Sequence, residues 1–171
     1  ADAGASETGA SVDPTTAAGA HAYGFEVGDY DPAQALILDP VLYIYAGFIG
    51  GSSEDQGTGI AVDGAGRVYV TGFTLSTEMS FPETVGPDLS HNGSYDAFVA
   101  KVEASGASLV YCGYIGGTDD DRGAAVAVDA SGNAYVTGRT SSPQTSFTVV
   151  TGSYDMTHNG LIDAFVARVH E

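Results

Sequence analysis

Apolar residues come in short runs along this chain, each closed by Gly, Asp, Asn or Pro, and no stretch keeps the 3.6-residue spacing of an amphipathic helix. Residues 59–62 (GIAV) and 68–71 (VYVT) flank Asp63-Gly64-Ala65-Gly66, and two such runs around a Gly-containing loop predict a β-hairpin. Residues 126–128 (VAV) and 134–137 (AYVT) flank 129–133 (DASGN) in the same way. Gly66 and Gly132 hold equivalent places, where a positive φ suits a residue without Cβ. Asp63 and Asp129 are placed to accept hydrogen bonds from the amides of their own turns. Residues 97–102 (AFVAKV) and 164–169 (AFVARV) are mostly apolar on both faces, as are 42–48 (LYIYAGF) and 109–114 (LVYCGY). That pattern predicts strands covered on both sides.

These runs form two matched series. Residues 48–72 read FIGGSSEDQGTGIAVDGAGRVYVTG, and residues 114–138, offset by 66 positions, read YIGGTDDDRGAAVAVDASGNAYVTG. Each is followed by a variable loop and then by HNGSYDAFVAKV (91–102) or HNGLIDAFVARV (158–169). An internal repeat fixes the architecture before any single motif is weighed. It predicts an all-β protein with an N-terminal extension and lead-in strands (residues 1–40), a first module (41–104) and a second (105–171). Each module is expected to be a four-stranded antiparallel sheet resembling a propeller blade, eight strands in all, with Phe98 and Phe165 as equivalent anchors. The order and spacing of YIGG, the acidic loop, AVAVDASGNAYVTG and DAFVARV resemble the secreted bacterial β-propeller repeats, the SBBP family, over about residues 23–170. Residues 25–42 (FEVGDYDPAQALILDPVL) also resemble the segment that leads into such repeats in large bacterial surface proteins. The resemblance implies an extracellular or cell-surface β-rich module and carries no catalytic motif.

Charge narrows the partners. Twenty-two acidic residues stand against five Lys and Arg, for a net charge of −17. A surface of that sign repels nucleic acid and anionic lipid. No run reaches the ~18 apolar residues of a membrane helix, so membrane insertion is not expected. A single cysteine leaves no intramolecular disulfide, and Cys112 sits in an apolar strand as a small hydrophobe. His21, His91, His158 and His170 have no catalytic context, and no cofactor is expected. Asp119, Asp120 and Asp121 are oxygen ligands of the kind calcium takes; the competing reading is a solvated loop with Arg122 as local counter-charge. Asn92-Gly93-Ser94 is an N-glycosylation acceptor sequence, although the repeated His-Asn-Gly reads equally as a turn. The variable loops, 73–90 and 139–157, are where a glycan or another surface protein would be recognised.

Residues 1–20 are small and polar, and Tyr23, Phe25 and Val27 then alternate with Ala22, Gly24 and Glu26 to give one apolar face. The chain opens on Ala1 rather than Met, as expected where a secretion signal has been removed. Propellers close with about four to eight blades, and repeat arrays usually need three units or more. Two blades leave strand edges open, which templates pairing with another chain. The expected function is therefore an extracellular structural subunit that assembles with itself, as a pilus-like filament, by head-to-tail strand exchange. Tyr23, Phe25 and Val27 are the candidate donor surface. A secreted binding or adhesion module is the alternative, and an enzyme is not expected.

Overall fold

The computed structural model describes Ser11–Val12, Tyr23–Gly24 and residues 44–170, and the chain divides into an N-terminal unit (1–42) and a repeat unit (43–171). In the first, β1 (Ser11–Val12) pairs antiparallel with β2 (Tyr23–Gly24). The repeat unit holds β3 (Asp55–Val62), β4 (Val68–Thr74), β5 (Asp96–Val102), β6 (Leu109–Ile115), β7 (Asp121–Val128), β8 (Ala134–Thr140) and β9 (Asp163–Val169). No helix occurs among the described residues, so none is long and apolar enough to cross a membrane.

Both expected hairpins form. Asp63 Oδ1 accepts the amides of Ala65 and Arg67 at 2.9 and 3.0 Å, and Gly66 turns the chain at φ 80°. Asp129 repeats this with Ser131, Asn133 and Gly132 at φ 82°. Burial works to raise the Asp63 carboxyl, but the Arg67, Ala65 and Tyr69 donors outweigh it and hold the pKa at about 2. The Asn133 side chain and amide are the main cause of the same value, about 2, at Asp129.

The strands make two blade-like antiparallel sheets, in the orders β3-β4-β5-β6 and β7-β8-β9. The sheets are out of step with the sequence repeat. β6, the first strand of the second repeat, is the fourth strand of the first sheet, with Phe98 opposite Tyr114 and Ala100 opposite Cys112. Residues 44–48, the described part of the opening strand expected at 42–48, form no strand, and among the described residues the second sheet has three strands where four were expected. The cause is the link between β5 and β6. Glu103 N donates to Ser108 O at 3.0 Å, and Gly106 adopts φ 73°. So tight a turn hands the chain to the antiparallel neighbour of the strand it leaves.

Alternation along β5 gives the first sheet two apolar faces. Ala97, Val99, Tyr111 and Ile115 meet Ala134, Val136 and Phe165 of the second sheet. Phe98, Ala100, Cys112 and Tyr114 face the other way, against Phe81, with Ile49 packed at the margin. Thr58 Oγ1 donates to Gly123 O at 2.7 Å and Tyr69 Oη to Gly132 O at 3.0 Å, tying the sheets together. The Arg122 guanidinium, on β7, lies over the rings of Phe73 and Tyr95 at 4.5 and 4.0 Å while binding Asp120 at 2.8 Å. Arg122 is thus the expected counter-charge of its acidic loop, and also a clamp between the sheets.

Candidate functional site

β5 and β9 share one sequence, DAFVA-(Lys/Arg)-V, yet their surroundings differ. Val99 is fully buried, while Val166, at the same register, is 79 % exposed. Two neighbours of β5 have no counterpart at β9. Among the described residues no strand pairs with the outer edge of β9, and no sheet covers the face that carries Ala164 and Val166. An edge of this kind presents a row of N–H and C=O groups ready to pair with an added strand.

The space beside β9 is a groove of ≈1010 Å³, with Phe147 and Phe165 among its lining and with Val150, Tyr154 and Met156 from the loop ahead of β9. In the first sheet the equivalent space is filled. β6 lies there, bonded to β5 on one side and to residues 84–88 on the other. Cys112 O accepts from Thr84 N at 3.0 Å, Cys112 N donates to Val85 O at 3.1 Å, and Tyr114 N donates to Asp88 O at 2.8 Å. The groove therefore has the form of a strand-wide slot between β9 and the 149–157 loop. Val150, Tyr154 and Val166 are exposed and line it together, and exposed apolar side chains that cluster in this way mark interaction sites.

Most of the polar residues singled out in the sequence serve the loops. Asp119 is exposed, and its amide donates to Ser142 Oγ at 2.9 Å. Asp120 is held by Arg122 and, at 3.5 Å, by Arg139; the Arg122 hydrogen bond is the main reason its pKa is lowered. Asp121 is buried and accepts from Gly117 N at 2.7 Å and Ser142 Oγ at 2.8 Å. Asp55 repeats the Asp121 clamp with Gly51 N and Ser76 Oγ. The three aspartates are engaged separately, and among the described residues no group of three His, Cys, Asp or Glu side chains is placed to hold a metal.

Asn92 is exposed, but its Nδ2 donates to Asp88 Oδ2 at 2.8 Å and Ser90 O at 2.9 Å. Asn159 repeats both bonds with Asp155 and Thr157, so the Asn-Gly pair builds a turn in each repeat. Cys112 is buried, and burial, aided by the Glu83 charge, pushes its thiol up to about 12, a poor nucleophile. Tyr23 belongs to β2, opposite Val12, while Phe25 and Val27 lie outside the described residues.

The slot was not visible in the sequence, because finding it requires knowing where β6 goes. One signal was present: the β5–β6 link, EASGAS, is a turn of the same grade as the turns within each repeat.

Residues 36–77 and 111–143 match the family model of the β-propeller repeat, SBBP. The second match starts inside β6 of the first sheet and runs on through β7 and β8 of the second. The second matched segment therefore spans two sheets. No curated protein matches the chain.

Proposed function

We propose that this chain, which carries two β-propeller repeats, is a non-enzymatic structural subunit of the cell surface or extracellular space that assembles with itself head to tail. One observation carries the reading: the open edge and bare outer face of β9, in a strand whose twin, β5, is enclosed on all sides. Burying such an edge restores backbone hydrogen bonds and removes apolar surface from water. The acceptor edge lies on the second repeat and the strand that fills it comes from a different part of the chain, so the contact is heterologous. It propagates as a filament unless the rotation between copies closes a ring. The net charge of −17 opposes assembly at low ionic strength, and screening relieves it.

Sedimentation velocity and negative-stain microscopy of the purified chain test this. Concentration-dependent polymers or fibres, more abundant at 0.5 M than at ~0.01 M salt, are the expected result. A monomer at every concentration and salt would defeat it, and would favour an adhesion module acting through the loops 73–90 and 139–157.

A further inference from the structure

Among the described residues the second sheet has no counterpart of the strand that β6 supplies to the first, and the sequence contains a second version of that strand. Residues 43–49 read YIYAGFI where β6 reads LVYCGYI, 66 positions later. Of this segment, residues 44–49 belong to no sheet, and Ile44, 85 % exposed, and Phe48, fully exposed, stand in solvent. We propose that residues 43–49 of one copy insert into the slot beside β9 of a second copy. They run antiparallel to β9 in the register β6 takes beside β5. Phe48 then lies opposite Phe165, Gly47 opposite Val166, Ala46 opposite Ala167 and Tyr45 opposite Arg168, each pair repeating one between β5 and β6.

Two glycines support this independently. In the filled slot Gly113 of β6 passes so close to the flanking loop that a Cβ on it would lie 2.7 Å from Asp88 O and 2.9 Å from Gly86 Cα. The counterparts of Gly113 and Gly86 in the repeat are Gly47 and Gly152. A Cβ on either of those meets nothing within 4 Å. Gly47 thus has no packing reason within its own copy to interrupt a run of bulky residues. It acquires one when the segment lies between β9 and the 149–157 loop.

The same copy cannot supply the strand. Ile49 packs with the Phe81 and Phe98 side of the first sheet, and the Tyr45 ring lies against Gly106 in the β5–β6 turn. The second sheet packs on the opposite side of the first, through Ala97 and Val99. The segment and β9 are therefore on opposite sides of the first sheet, an arrangement that joins copies in series. The juncture between copies then reproduces the one between the two repeats within a copy.

This inference rests on the self-assembly reading but fails separately from it. Gly47→Val stands in open space in a single copy, so the monomer should keep its strand spectrum and its urea midpoint. In the slot the added side chain strikes the position of the flanking loop, so polymer should fall at least tenfold in sedimentation. In a Cys112→Ala background, Ala46→Cys with Ala167→Cys should yield a ladder of disulfide-linked multimers on oxidation. Ala46→Cys with Val166→Cys, one register off, should stay reduced. A cross-link confined within one chain, or no cross-link among chains that polymerise, overturns the proposal while leaving self-assembly standing, as would undiminished polymer from Gly47→Val. A wild-type chain that stays monomeric and shows no cross-link removes both. Should a cysteine variant misfold, hydrogen exchange on the unaltered chain decides: the β9 amides facing away from β8 should become protected as concentration rises, and constant fast exchange contradicts the insertion.

Discussion

Phe98→Ala is expected to cost about 3–5 kcal/mol in urea melts, and Phe165→Ala a value toward the lower end of that range. Each ring lies opposite a glycine on the neighbouring strand, Phe98 opposite Gly72 and Phe165 opposite Gly138. The fit is close: a Cβ on Gly72 would stand 2.9 Å from Phe98 Cε1, and one on Gly138 2.7 Å from Phe165 Cε1. Phe98 is 1 % exposed and stacks edge-on with Phe81 at 5.3 Å. Phe165 is 8 % exposed and packs against Phe147, also at 5.3 Å. Removing either ring leaves a cavity that the β4 or β8 backbone cannot fill, since glycine has no side chain to relax into it. Phe165 borders the unfilled slot, where one wall of its cavity is already open, so its loss costs less. A change below ~1 kcal/mol at Phe98 would mean that the ring faces water.

Asp96→Asn is expected to remove a fall in stability that the wild-type chain shows between about pH 4 and pH 6. Asp96 is fully buried, with Asn92 N donating to Oδ2 at 2.8 Å and no partner at Oδ1. Burial raises its pKa to about 6, the Asn92 bond and the His91 charge oppose the rise, and the nearby Asp121 and Asp88 carboxylates add to it. A carboxyl whose folded pKa lies above its unfolded value holds more protons when folded, so stability drops as pH climbs from the unfolded toward the folded value. From 3.8 to about 6 this amounts to at most about 3 kcal/mol. Asp63 and Asp129 act in the opposite direction. Their depressed values give stability that is present above about pH 4 and lost as pH falls toward 2. Urea midpoints should therefore peak near pH 4–5 in the wild type and stay level from there to pH 7 in Asp96→Asn. A wild-type profile still rising from pH 4 to 7 would contradict this assignment.

Much of the fold was readable from local signals. The hairpins around Asp63 and Asp129 follow from short β-branched runs and from glycines that take positive φ, all settled within about a dozen residues. The two-blade organisation follows from the repeat. The phase of the sheets was not legible, because a repeat has no marked beginning. Residues 42–48 and 109–114 look alike in the sequence, yet the second lies in β6 within a sheet, while the described part of the first, residues 44–48, stands largely in solvent. Which of two like segments pairs with β5 depends on a non-local contact set by the Glu103–Ser108 turn. The slot beside β9 is a consequence of that phase, so it was hidden with it. Arg122 shows a similar limit: its pairing with Asp120 is two residues away in sequence, while its place over Phe73 and Tyr95 depends on how the sheets stack.

The phase of the sheets is the claim on which the open edge, the slot and its proposed occupant all depend, and a single substitution reads it. Ala100 on β5 lies directly opposite Cys112 on β6, and directly opposed residues of an antiparallel pair, about 4.5–5.5 Å apart at Cα, are within the span of a disulfide. Ala100→Cys, oxidised during refolding because the buried Cys112 thiol is hard to ionise, should give a chain with one intrachain disulfide and no titratable thiol. If each repeat instead completed its own sheet, position 100 would face Ala46. Ala100→Cys would then keep two free thiols, and Ala46→Cys with Ala100→Cys would close in their place.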